Sequence, residues 1–257
     1  MRIIFVILAI GLHLLAKEFV FGVVPQQGPL ELSKKWIQIT QYLSNQTGYK
    51  IIFKTENSIP LFENKLYAGE YDFAYMNPFH FIIANSKQGY VAKLRGNEML
   101  TGIIVSKEKI LNPKELKGKT FLFPAPNAFA ATLLTKFEFK HKYNFDIDKD
   151  AKVMYVNSHD SVYKGIARDI GDFGGAITRT YENLKNDEDK SKLHIVYKTD
   201  SYPSHPIAFH PNMAPEDVNK IQEAFIKMPQ ELASIFSIDA FVKTTNKEYD
   251  LIKKFNK

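Results

Sequence analysis

The stretch Tyr71-Asp-Phe-Ala-Tyr-Met-Asn-Pro-Phe-His-Phe81 decides the fold class. Tyr71 to Met76 is an apolar run of strand length, and Asn77-Pro78 then turns the chain. Upstream, Phe19 to Val24 is another buried-strand run, Pro25-Gln-Gln-Gly-Pro29 a turn, and Leu32, Trp36, Ile39 and Leu43 recur at helical spacing up to Gly48. Lys50 to Lys54 reads as a strand and Leu61 to Ala68 as a helix. Strand, helix, strand, helix, strand implies a mostly parallel sheet covered by helices. In such a sheet ligands gather at the C-terminal strand ends, where Gln26, Gln27, Tyr75 and Asn77 stand.

Downstream, Gly102 to Ser106 is β-rich, and the alternation restarts where Asn112-Pro-Lys-Glu-Leu-Lys-Gly-Lys-Thr120 leads into Phe121-Leu-Phe123. A helix over 127–140, a strand over 152–156, a helix over 160–168 and strands over 174–177, 193–197 and 207–209 follow, before Pro215 opens a helix with Glu216 and Asp217 in its first turn. The expected architecture is an α/β clamshell. Residues 17–101 plus 206–257 form lobe 1, residues 102–205 form lobe 2, and two crossover strands join them around a cleft.

Composition narrows the function. Met1-Arg2 followed by apolar Ile3 to Leu15 reads as a signal peptide over residues 1–16, since the run is shorter than the roughly 20 residues that span a bilayer. Leu14 stands where a small residue is usual, so an uncleaved anchor is the alternative. Removing residues 1–16 deletes one cation, Arg2, and lowers the formal charge from +6 to +5. The lysines are interspersed with carboxylates and form no basic stripe, which argues against nucleic acid as partner. The absence of cysteine excludes disulfides, thiolate metal sites and a lipidated cysteine anchor.

The order Tyr71-Asp-Phe-Ala-Tyr-Met-Asn-Pro78, Leu116-Lys-Gly-Lys-Thr120, Asn157-Ser-His-Asp160 and Pro203-Ser-His-Pro206 resembles the periplasmic substrate-binding proteins of the phosphonate, phosphite and phosphate uptake family, a branch of the type II binding proteins. The resemblance covers nearly all of the mature chain. It implies a periplasmic, monomeric receptor that closes on a small anionic ligand and presents it to the permease of an ABC importer or, alternatively, to a sensor kinase. No cofactor and no enzymatic activity are expected.

The resemblance also places the site. Pro124 to Ala131 falls on the start of a second-lobe helix whose free N–H groups cradle an oxyanion, with Asn127 as its expected cap. Ala128, Phe129 and Ala130 stand where well-known members carry hydroxyl residues. His159 falls on the family's ligand-contacting histidine, with Tyr75 and Asn77 opposite in lobe 1. Arg179 and His205 occupy positions that are acidic in binders of amino-phosphonates, which argues for an anion without an ammonium group and makes Arg179 a bidentate clamp flanked by Thr178 and Thr180.

Two other classes fit less well. Ser158, His159 and Asp160 are triad residue types, but sequence neighbours point apart and do not form a catalytic chain. A metal receptor using His159 and His205, with Asp160, His80 or His210, lacks metal-ligand spacing.

Overall fold

The computed structural model describes residues 16–109, 112–184, 187–236 and 238–255, so the expected signal peptide lies almost wholly outside the described residues. In chain order the first elements are β1 (Glu18–Val23), α1 (Pro29–Thr47), β2 (Lys50–Lys54), α2 (Ile59–Tyr67), β3 (Phe73–Tyr75), α3 (Pro78–Gln88) and β4 (Val91–Gly96). Local chemistry sets their ends. Pro29 opens α1, and Gly48 closes it in the left-handed region at φ 68, its N–H returning to Ser44 O. The Ser58 hydroxyl caps α2, and the Asn77 side chain caps α3 by accepting from His80 N–H.

The chain continues through β5 (Met99–Ser106), β6 (Thr120–Phe123), a π-helical stretch Phe129–Leu134 that runs into α4 (Thr135–Tyr143), α5 (Ile147–Asp150), β7 (Lys152–Tyr155), α6 (His159–Ala167) and β8 (Phe173–Ile177). Then come α7 (Thr178–Glu182), α8 (Asp187–Ser191), β9 (His194–Pro203), β10 (Pro206–Phe209), α9 (Pro215–Ile226), α10 (Gln230–Ala233), β11 (Phe241–Lys243) and a 3₁₀ helix, Asn246–Phe255.

Two sheets result, ordered β11-β4-β10-β3-β1-β2 and β7-β6-β8-β5-β9. β2-β1-β3 and β7-β6-β8 are parallel, as the alternation implies, whereas β10, β4 and β11 and the pair β5 and β9 run antiparallel. The expectation of mostly parallel sheets is therefore corrected. Each sheet has a three-stranded parallel part, and antiparallel strands complete it. β5 and β9 are the crossover strands, paired from Met99↔Pro203 to Ser106↔His194.

The sequence reading assigns nothing between Met76 and Gly102, where α3 and β4 lie. Pro78, Phe79, His80, Phe81, Ile82 and Ala84 are all buried, so α3 lacks a polar face to reveal a helical period. β9 also extends beyond the expected 193–197, because residues 198–203 are held by pairing with β5 rather than by an apolar run of their own.

One contact sets how deeply the 128–134 segment lies against the second sheet. Gly102 on β5 and Gly175 on β8 have no Cβ, and one added there would meet Ala130 O and Ala131 O, each at 2.3 Å. The helix backbone thus rests on the strands themselves. The adjoining Ala125, Ala128–Ala131 and Leu134 belong to the same continuous core as first-lobe residues Phe21, Trp36 and Tyr75.

Gly175→Ala, which also drives a methyl into the Phe123 ring at 2.3 Å, should destabilise the protein by about 1–3 kcal/mol through overpacking. A urea titration with an unchanged midpoint would contradict this reading of the contact.

Candidate functional site

The turns that leave β1 and β3 lie side by side because those strands pair in parallel, Val23 opposite Tyr75. They bring Gln26 and Asn77 to one rim of the cleft. The facing rim carries the start of the 129–143 helix, His159 at the head of α6 and Arg179 in α7, just beyond β8. His205 sits between β9 and β10, where the crossover returns to the first lobe. Asn157, left-handed at φ 68, and the Ser158 cap set the entry into α6.

A chain of polar contacts spans the cleft. Arg179 Nη2 donates to Gln26 Oε1 at 3.0 Å and lies 3.5 Å from His205 Nδ1. Gln26 Nε2 meets His205 Nε2 at 2.8 Å. The guanidinium also lies over the Tyr75 ring, 5.7 Å from its centroid, and Tyr75 stacks on His205 at 5.2 Å. Nearby, Asn77 Nδ2 donates to Asn127 O at 3.1 Å, and Gly28 N–H bonds to the Asp160 carboxylate. Arg179 is half-buried, and no carboxylate forms an ion pair with it among the described residues.

Burial, with the Arg179 charge adding to it, pushes the His159 imidazole down to about 3. His205 is held well below its usual range by burial first, then by Arg179, His80 and His159. Both rings are neutral near pH 7. His159 Nδ1 is buried without a hydrogen-bond partner, and the residue lines a small chamber of about 10 Å³ together with Asn77, Phe129 and His205. A second chamber of about 40 Å³ is bounded by Lys35, Trp36, Tyr75 and Arg179. Gln26 borders both.

The sequence-derived residues are distributed unevenly. Asn77, Ala128, Phe129, His159 and His205 line the first chamber, while Tyr75 and Arg179 line the second. Asn127 does not cap its helix: Ala128 holds the N-cap position with no side-chain bond, and Asn127 contributes its carbonyl to Asn77. A π-helical start displaces the cap by one residue. Thr178 faces a third cavity beside the crossover, which Arg179 also lines together with Glu98, Glu182 and Ser204, and the Thr180 hydroxyl is engaged by Tyr163 OH and Ile177 O. Phe129 packs edge-on against Tyr202 and Phe255.

Among the described residues no group of three or more His, Asp or Glu side chains is placed to hold a metal ion. His210 packs against Tyr90, and His80 lies 2.9 Å from Glu63 Oε1. The Ser158 hydroxyl is occupied by Ser161, away from any triad geometry. Gln26 is the residue that sequence reasoning ranked too low; its place in the turn after β1 was the available signal.

This arrangement of two α/β lobes with a polar seam between them is that of a substrate-binding protein. The family described as "ABC transporter, phosphonate, periplasmic substrate-binding protein" matches residues 21–249, and the chain belongs to it. The phosphate-import protein PhnD of Mycolicibacterium smegmatis is 23% identical over 221 residues, covering 79% of this chain and 69% of that protein. Among solved structures, a binding protein component of an ABC phosphonate transporter from Pseudomonas aeruginosa superposes with a TM-score of 0.86 at 17% identity, covering 94% of this chain and 86% of its own. PhnD1 of Prochlorococcus marinus in complex with methylphosphonate also gives 0.86, at 16% identity, covering 93% and 97%. The fold is thus the type II clamshell, and the chain is the substrate-binding component of an ABC importer, of a family located in the periplasm. Among the described residues no helix is long and apolar enough to cross a membrane.

The depressed histidines make stability depend on pH. Unfolded, both titrate near 6.5, so below that pH the unfolded chain binds more protons than the folded one and stability falls as pH drops, continuing toward about 3 for His159. The urea midpoint should decline from pH 7 to pH 4.5, and His159→Gln should reduce that decline. An identical decline in the variant would contradict a neutral buried His159.

Proposed function

We propose that the protein captures a small oxyanion of the phosphonate or phosphate kind in the cleft between its lobes and delivers it to a membrane permease. The observation that carries this reading is Arg179, a half-buried cation in the cleft whose close side-chain partners of those described, the Gln26 amide, the His205 imidazole and the Tyr75 phenol, are all neutral. A charge withdrawn from water is costly without a counter-charge, and the ligand supplies it. Guanidinium geometry suits two oxygens of one anion.

The remaining donors fit the same ligand. Phe129, Ala130 and Ala131 are in the first turn of their helix, where N–H groups have no intrahelical acceptor. Backbone amides there take the part that hydroxyl residues play in better-known relatives. Neutral His159 adds a directed donor, while the Asn77 amide is engaged by Asn127 O and His80 and holds the helix start in place. Among the described residues no carboxylate lines either chamber, so an ammonium group on the ligand has no partner there. The protein acts as an exported monomer, closing on the anion and showing the closed face to the importer.

The test is a thermal-shift series with phosphate, phosphite, methylphosphonate and sulfate. Ligand at 100 times Kd adds about 2.7 kcal/mol of stability, enough for a clear rise in Tm. Arg179→Ala should abolish the shift while leaving the ligand-free Tm close to wild type, and Arg179→Lys should weaken binding by about tenfold or more because the planar fork is lost. Unchanged affinity in Arg179→Ala would overturn the proposal.

A further inference from the structure

We infer that Gln26 is a positioning residue that turns His205 into a hydrogen-bond donor beside Arg179, so that this corner of the cleft accepts a deprotonated ligand oxygen and rejects a ligand N–H or O–H. The inference rests on the anion-binding reading above and specifies its selectivity.

Donor and acceptor capacity links the three side chains. Arg179 has only donors, so the atom of Gln26 that meets its Nη2 at 3.0 Å must be the amide oxygen. That fixes the other end of the amide. The NH₂ group of Gln26 therefore faces His205 Nε2 at 2.8 Å, and an amide NH₂ only donates, which requires a bare lone pair on Nε2. A neutral imidazole has one N–H; with Nε2 bare, the proton resides on Nδ1. Arg179 Nη2 also points at Nδ1, at 3.5 Å, and would ask for a second bare nitrogen; a neutral ring has only one, and the 2.8 Å contact from Gln26 prevails over the longer one, so the proton stays on Nδ1. Two donors then stand beside each other with no acceptor between them, and a ligand oxygen that bonds to both completes the set.

The surroundings hold the arrangement. His205 is 3% exposed and stacked on Tyr75, so its ring has little freedom to turn. Gln26 is anchored at both ends of its amide, which transmits the polarity of Arg179 to a histidine without neutralising the charge. A carboxylate at position 26 would do the opposite. It would pair with Arg179 and accept from His205 Nε2–H, leaving Nδ1 bare and facing the ligand with a lone pair.

The experiment is a long-range ¹H–¹⁵N correlation spectrum of the imidazoles at pH 7, with His205 assigned by the signals lost in His205→Gln, together with anion titrations of wild type and Gln26→Glu. The expected result is an Nδ1–H tautomer in wild type, an Nε2–H tautomer in Gln26→Glu, and at least a tenfold loss of anion affinity in the variant, whose ligand-free Tm stays at or above wild type. A wild-type protein that binds anion with His205 as the Nε2–H tautomer or as imidazolium overturns the inference and leaves the proposed function standing. Unaltered affinity in Gln26→Glu also overturns it. A wild-type protein that binds none of the anions overturns the function and this selectivity with it.

Discussion

The hydrogen bond from Arg179 to Gln26 is the contact on which the cleft is organised. It joins the second lobe to the first across 153 residues of sequence and holds a guanidinium in the cleft by means of a neutral partner. A carboxylate in that role would bind more strongly and would leave the cleft no electrostatic reason to take up an anion. A residue without an acceptor would leave the cation unanchored. The amide does neither, so the cleft keeps a half-buried positive charge that no carboxylate pairs with among the described residues. Neutral histidines accompany it because a second and third cation beside Arg179 would repel one another and be expensive to bury.

Close approach of backbone to backbone supports this chemistry. Gly102 and Gly175 let the Ala128–Ala131 segment settle onto β5 and β8, which sets the first-turn N–H groups at the cleft wall. Small side chains at 128, 130 and 131 fit this tight seat, and Phe129 sends its ring against Tyr202 and Phe255. The apolar core continues from the first lobe into this segment, so the lobes meet over an apolar contact as well as the polar seam.

Much of the fold is legible in the sequence because its parallel strands and covering helices obey strong local periods. Leu32, Trp36, Ile39 and Leu43 mark α1, and the apolar runs mark β1, β3 and β6. The reading fails where local pattern carries no information. α3 is buried nearly all round, and the second half of β9 is held by its partner strand. At the site, the strand-end rule and the resemblance bring out Tyr75, Asn77, His159, Arg179 and His205. They do not reveal that Asn127 serves through its carbonyl, since a π-helical start moved the cap to Ala128. The role of Gln26 depends on partners 153 and 179 residues away, which no local pattern encodes.

The most direct measurement of the central claim is an anomalous difference map from crystals of the protein soaked with arsenate and, separately, methylarsonate, collected at the arsenic edge. Arsenic replaces phosphorus in the same oxyanion geometry and marks its own position. The account predicts a single dominant peak between the Arg179 guanidinium and the Ala128–Ala131 helix start, within reach of His159 and His205. An empty cleft with arsenic found only at surface lysines, in both soaks, would contradict it.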